Sequence, residues 1–208
     1  MRIVVTGASR GIGDALAEGY RAGGHDVIGT TRADVDFSQE DSISRWSSGL
    51  SGPVDLLVCN AGIYQDRAES IDSGYSGDMW AEMMAVNVTG VFLTIQGLLP
   101  RLREAENAKI AIISSQMGSS TRASGTSIIY RVSKAAALNL GFNMASALKH
   151  EGIAVGIYHP GWVRTDMGGS AAEISVEESR DGLMARFDAL SLATTGCFET
   201  LDGRNHPL

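Results

Sequence analysis

Short apolar runs and longer amphipathic stretches alternate along the chain. "RIVVTG" (2–7), "HDVIGTT" (25–31), "VDLLVCNAG" (54–62), "KIAIISS" (109–115) and "IAVGIYHPG" (153–161) are apolar runs of strand length. Each stops at glycine, serine, threonine or proline, the pattern of strands buried on both faces of a parallel sheet. Between them lie helical patterns: "GDALAEGYRAG" (13–23), "EDSISRWSSG" (40–49), a long stretch over 77–104, 128–152 and "SVEESRDGLMARFDAL" (175–190). Pro100 is expected to bend or close the helix over 77–104, and Gly152 to end the one over 128–152. "GSSTRASGTS" (118–127) reads as a polar loop and "GCFETLDG" (196–203) as a last strand. The alternation predicts one α/β domain over residues 1–208, a doubly wound parallel sheet covered by helices on both faces.

Composition narrows the class. The chain has 208 residues, 44% of them apolar and 20% charged, which suits a globular core. A formal net charge of −7 argues against nucleic acid or an anionic membrane as partner. No apolar run approaches the ~20 residues of a bilayer span. The N-terminus offers only Arg2 before "IVVTG", so no signal peptide is expected. Cys59 and Cys197 cannot build a disulfide framework, which suits a reducing cytoplasm. The histidines at 25, 150, 159 and 206 are too scattered for metal-ligand spacing.

The turn after the first strand fits two chemistries. Gly7-Ala8-Ser9-Arg10-Gly11 has the G-x-S-x-G form of a hydrolase nucleophile elbow, with Ser9 as nucleophile. Such an elbow follows a middle strand, because earlier loops supply the oxyanion hole; Ser9 follows the first. Gly7, Gly11 and Gly13 also approach the dinucleotide fingerprint, in which glycines permit a tight turn and a helix N-terminus faces the pyrophosphate. The placement favours this second reading. Further on, Tyr130 and Lys134 stand one helical turn apart, on one face, after a strand that ends in Ser114-Ser115.

Together these motifs resemble the short-chain dehydrogenases/reductases over nearly the whole chain. "TGASRGIG" (6–13), "NAG" (60–62), "NVTG" with Asn87, "ISS" ending at Ser115, "YRVSK" with Tyr130 and Lys134, and "HPGWVRT" (159–165) occur in the family's order. "ISSQMGSS" and "HPGWVRTDMGG" look more particularly like the C-factor-like carbonyl reductases. The resemblance implies a Rossmann-type fold and hydride transfer between a nicotinamide cofactor and a carbonyl. Tyr130 would act as general acid/base, Lys134 would assist it and hold the ribose, Asn87 would complete a water-linked relay, and Ser115, or its neighbour Ser114, would bond the substrate oxygen. Cofactor contacts would come from Gly7, Ser9, Arg10, Gly11, Ile12 and Gly13, from Asn60, Ala61 and Gly62, from Tyr130 and Lys134, and from Pro160, Gly161, Val163 and Thr165. To work near neutrality the tyrosine needs stabilisation of its phenolate by roughly 4 kcal/mol. An ammonium at ~4 Å in an effective dielectric near 20 supplies about that.

Cofactor choice follows from the end of the second strand. An acid for the ribose 2′-hydroxyl usually stands there; this chain has Thr31 followed by Arg32, with Arg10 in the glycine loop. Guanidinium forks suit a 2′-phosphate, so NADP(H) is expected, with NAD(H) as the alternative. Only Ala33, Asp34 and Val35 separate Arg32 from "DFS" (36–38), whereas a parallel crossover takes about a dozen residues. The helix between strands 2 and 3 is therefore expected to be missing and edge strand 3 lost or reduced, which leaves Asp36 open as an adenine contact. Tyr64, Gln116, Met117, Trp162 and Met167 form the expected, largely apolar substrate pocket, suited to a small or medium uncharged ketone or aldehyde and its alcohol. The resemblance also implies a homodimer or homotetramer. A non-catalytic dinucleotide sensor on the same fold is the competing function.

Overall fold

In the computed structural model, which describes residues 1–208, six strands make one sheet: β1 (Arg2–Val5), β2 (Asp26–Gly29), β3 (Leu56–Cys59), β4 (Lys109–Ile113), β5 (Ala154–His159) and β6 (Phe198–Thr200). All neighbours are parallel, in the order β2-β1-β3-β4-β5-β6. Register is continuous across the centre, with Val5 beside both Gly29 and Val58, Cys59 beside Ile112 and Ile113 beside Tyr158. The helices are α1 (Gly11–Ala22), α2 (Glu40–Gly49), α3 (Gly77–Met84), α4 (Gly90–Arg103), α5 (Ile128–Leu148) and α6 (Val176–Ala189).

Because strand side chains alternate, the same apolar runs feed two cores. Ile3, Val5, Leu56, Val58, Ala111 and Ile113 meet Leu16 and Tyr20 of α1 and Leu183 and Phe187 of α6 on one face. On the other, Val4, Leu57, Ile110 and Ile112 meet Val91, Ile95, Leu98 and Leu102 of α4 and Ala145 and Leu148 of α5. That is why the central strands read as unbroken apolar runs rather than alternating ones.

Two details depart from the sequence reading. A π-helical turn at Ala85–Thr89 joins α3 to α4 into one continuous helix, and Pro100 lies inside α4, which runs on to Arg103. The joined helix, Gly77–Arg103, is also long and apolar enough by composition to cross a membrane, contrary to the expectation that no such segment exists. Its apolar stripe, Val91, Ile95, Leu98 and Leu102, is packed into the core.

From Thr30 to Gln39 the chain passes through turns with neither helix nor strand, and β2 is the edge of the sheet. Val35 and Phe37 anchor this crossing, packing with Ile43 of α2 against Trp46, Ala61, Val86 and Leu93. Between β1 and β3 the winding reverses, which places a crevice at their carboxyl ends.

α6 starts with a reciprocal cap, Ser175 accepting from Glu178 N at 3.1 Å and Glu178 accepting from Ser175 N at 2.7 Å. Ser175→Ala is expected to lower the unfolding free energy by about 1 kcal/mol, read from the urea midpoint at unchanged m-value.

Candidate active site

The crevice is fastened by Thr6 and Asn60. The Thr6 hydroxyl accepts from Asn60 N and Ala61 N, both at 3.0 Å, while Asn60 Nδ2 donates to Thr6 O at 3.0 Å and to Gly7 O at 3.1 Å. Gly7 has φ +68° and approaches the neighbouring turn so closely that a Cβ there would lie 2.9 Å from Ala61 Cα; glycine meets both demands. Ser9 and Arg10 are exposed, Gly11 and Ile12 half-buried and Gly13 buried. α1 starts at Gly11 without a side-chain cap, so its first N–H groups are open to an acceptor at the crevice.

The segment after β5 closes on this loop. A Cβ on Gly11 would lie 3.3 Å from Thr165 Cγ2, and Arg10 pairs with Asp166 at 3.0 Å, both side chains about three-quarters exposed. Pro160 O accepts from the Ser179 hydroxyl at 2.7 Å, Gly161 has φ +88°, and Val163 bridges to Ile174. At the end of β2, Thr31 N and Oγ1 both donate to Asp34 Oδ2 at 2.8 Å, which holds the Asp34 carboxyl below its usual range. A carboxylate thus returns to Thr31 from three residues on, while Arg32 is exposed beside it. Asp36 accepts from Ser38 N at 2.9 Å and from the Ser38 hydroxyl at 2.7 Å, and these bonds hold its carboxyl low; the charge of Arg32 adds to the effect.

Ser115, Tyr130 and Lys134 converge at the carboxyl end of β4. Of the two serines, the buried Ser114 hydroxyl donates to Lys134 O at 3.0 Å and is committed to α5. Ser115 accepts from Met117 N at 3.1 Å and draws the Tyr130 phenol down, against the effect of burial, so Ser115 is the one that faces the phenol. Lys134 Nζ donates to Ile113 O at 3.0 Å and lies 5.6 Å from the centroid of the Tyr130 ring. Asn87, in the π turn, spends both amide hydrogens on Ile63 O (2.9 Å) and the Ser133 hydroxyl (3.0 Å), and its oxygen accepts from Ile63 N at 2.8 Å. Gly62 lies between, a Cβ on it coming 3.2 Å from Asn87 Oδ1 and 3.5 Å from Lys134 Nζ.

The electrostatics around Tyr130 favour the protonated phenol. Burial pushes the phenol well above its usual value, Tyr64 and Asp66 push the same way, and only Ser115 and Arg67 oppose them. Burial also moves Lys134 down to about 8. In this arrangement Tyr130 carries its proton at neutral pH.

The expected substrate residues divide. Tyr64 stacks on Tyr130 with centroids 4.2 Å apart and joins Met117 in a small apolar cluster around it. Met167 is 42% exposed and stands outside the cavity that Gln116 and Trp162 line. That cavity, of about 380 Å³, also takes in Arg122, His159, Glu173 and His206. Its walls are mostly polar, and Ser115, Tyr130, Tyr64 and Met117 are not among them. Sequence reading missed Asp66, Arg67 and Ser133. Asp66 and Arg67 sit in a polar loop without a motif, and Ser133, inside Y-x-x-x-K, reads as filler.

A parallel sheet with a glycine turn at its point of reversal defines a Rossmann-type α/β protein. The short chain dehydrogenase family model matches residues 32–174, and the chain belongs to that family. It is 35% identical over 159 residues to the C-signal of Myxococcus xanthus, covering 76% of this chain and 94% of that protein. It is 30% identical to the 1-hydroxy-2-glutathionyl-2-methyl-3-butene dehydrogenase of Rhodococcus sp. (strain AD45), over 97% and 96% of the two chains. Its fold superimposes on the NADPH-bound carbonyl reductase from chicken fatty liver with a TM-score of 0.87 at 26% identity, covering 100% and 98%.

His159, 8% exposed in the cavity wall, is held down at about 4 by burial first and then by His206 and Arg122. Its folded value lies below the unfolded one, so the stability it supports is present above the unfolded value and lost as pH falls toward the folded one. Between about pH 7 and 4 this group is expected to cost roughly 3 kcal/mol of unfolding free energy. His159→Gln is expected to flatten that slope in urea titrations across the range; an unchanged slope assigns the loss elsewhere.

Proposed function

We propose that the chain is an NADP(H)-dependent oxidoreductase interconverting a small or medium uncharged ketone or aldehyde and its alcohol. The observation that carries this reading is the buried, proton-bearing Tyr130 beside the Ser115 hydroxyl at the mouth of the crevice. When bound, the nicotinamide supplies or accepts the hydride. Ser115 holds the substrate oxygen and Tyr130 gives it a proton in the reductive direction, or removes one in the oxidative direction. The protonated Lys134 supplies positive charge near the ring. Asn87 fastens Ile63 to Ser133, whose hydroxyl in turn donates to Tyr130 O at 2.8 Å.

The residues present fit the cofactor. The close Gly7–Ala61 approach and the uncapped start of α1 make a cradle for a pyrophosphate. Arg10 and Arg32 present exposed guanidinium groups near it; the Arg10–Asp166 pair is solvent-facing and weak enough to be exchanged for a phosphate. Asp34 opposes a 2′-phosphate, but its carboxylate is turned onto Thr31. The NADPH-bound state of the chicken carbonyl reductase supports the same choice. The apolar cluster around Tyr130, with Ile63, Tyr64, Met79, Met83 and Met117, suits an uncharged substrate.

Two measurements test the reading. Titration with NADPH and NADH, followed by tryptophan quenching, is expected to show NADPH binding about a hundredfold tighter, with Arg10→Ala and Arg32→Ala each removing about tenfold of the difference. Tyr130→Phe is expected to abolish carbonyl reduction while leaving NADPH affinity within about threefold. Equal affinity for the two cofactors would remove the arginines from recognition, and turnover by the phenylalanine variant would remove Tyr130 as proton donor.

A further inference from the structure

Tyr130 is the third residue of α5, in the turn whose backbone N–H groups have no partner within the helix. Ser127 stands where a local cap belongs, yet its side chain caps nothing. It adopts the left-handed region, φ 52° and ψ 48°, and its hydroxyl lies 2.6 Å from that of Tyr64. The cap comes from elsewhere: Asp66 Oδ2 accepts from Ile129 N at 2.7 Å and from Tyr130 N at 3.2 Å. Tyr75, from the same connection between β3 and α3, accepts from Ile128 N at 3.4 Å.

A cap alone does not require this arrangement. Serine at position 127 is a good local N-cap residue, whereas Asp66 is 0% exposed and leaves its Oδ1 buried without a partner. The α5 N-terminus offsets part of the cost of that burial through its dipole. The long-range solution does one thing that a local cap cannot, which is to tie the backbone of Tyr130 to the loop carrying Tyr64. Tyr64 holds the ring of Tyr130 at 4.2 Å, with planes 26° apart, while Arg67 stands 5.0 Å over Tyr64 and donates to Met167 O across the cleft.

We propose that Asp66 is a positioning residue for Tyr130, acting as the N-cap of the tyrosine-bearing helix in place of Ser127. The proposal rests on Tyr130 being the proton donor. It adds that residues 64–67 grip that donor by backbone and ring together, and that Asp66 brings a buried negative charge to it. The polar groups facing the phenol are Tyr64, Asp66 and Arg67 from this loop, Ser115 from the end of β4 and Lys134 from α5 itself; Tyr75 joins the surrounding cluster, to which α3 adds only Met79, Trp80 and Met83. Among them Asp66 and Tyr64 oppose the phenolate, so the cap and the retention of the proton are one device.

Asp66→Asn keeps an acceptor oxygen and removes the charge; Asp66→Ala removes both. Hydrogen exchange at the Ile129 and Tyr130 amides is expected to accelerate at least about tenfold in Asp66→Ala and to stay near wild type in Asp66→Asn. kcat for carbonyl reduction is expected to fall about tenfold or more in Asp66→Ala at unchanged NADPH affinity, and to recover to within about threefold of wild type in Asp66→Asn. In Asp66→Asn the alkaline limb of kcat should also move to lower pH, since losing the negative charge makes the phenolate easier to form. Wild-type exchange at both amides in Asp66→Ala overturns the cap, and wild-type kcat overturns the positioning. Should the alanine variant not fold, Asp66→Ser, whose shorter side chain cannot reach both amides, is held to the same outcomes. Exchange is read without substrate, so it stands apart from the assignment of Tyr130 as proton donor, which Tyr130→Phe tests alone.

Discussion

Everything at the crevice depends on one fastening, the exchange of hydrogen bonds between Thr6 at the end of β1 and Asn60 at the end of β3. Parallel strands buried on both faces have no solvent-facing side, so their polar groups collect where the strands end. Thr6 and Asn60 use that opportunity twice. Their side chains satisfy backbone groups that would otherwise be stranded at the sheet margin, and in doing so they hold the glycine loop against the Asn60–Gly62 turn. Gly62 in turn lies against Asn87 and Lys134, so the cradle and the tyrosine helix share a wall.

The second determinant is the balance of charge around Tyr130. Burial drives both members of the Tyr130–Lys134 pair toward neutrality, the phenol upward and the ammonium down to about 8. Charge in this pocket is therefore costly, and whichever group carries it needs a partner close by. Lys134 finds a carbonyl, Ile113 O. Tyr130 finds the Tyr64 hydroxyl and the Asp66 carboxylate, which favour the proton remaining in place against Ser115 and Arg67. The resting arrangement is thus that of an acid.

The fold was legible because its signals are local. Apolar runs such as "LLVC" and "AVGIYH" are strands on periodicity and length alone, and "SVEE" announces the capped start of α6. The glycine loop, Ser115, Tyr130 and Lys134 could be named from the sequence as candidates because each sits beside such an element. Asp66 was not, because its meaning lies in a contact with amides 63 and 64 residues away. Nor was the polar character of the cavity beside Gln116, since six of its fourteen lining residues come from the segment after β6, which has no periodicity to read. The choice between Ser114 and Ser115 also needed three dimensions. Adjacent strand residues point to opposite faces, and only the packing of α5 shows which face holds the tyrosine.

The π turn at Ala85–Thr89 works as a phase shifter within a single helix. A turn that closes five residues on instead of four inserts one residue, and at 3.6 residues per turn this rotates the later half of the helix by about 100° against the earlier half. Before the turn, Met79, Trp80 and Met83 face the cluster around Tyr130. Beyond it, Val91, Ile95, Leu98 and Leu102 face the sheet. Around an uninterrupted helix Met83 and Ile95, twelve positions apart, would stand about 120° from each other, and the insertion takes back most of that angle. One rod then serves the structural core with its far half and the cluster around Tyr130 with its near half, and Asn87 sits in the inserted turn.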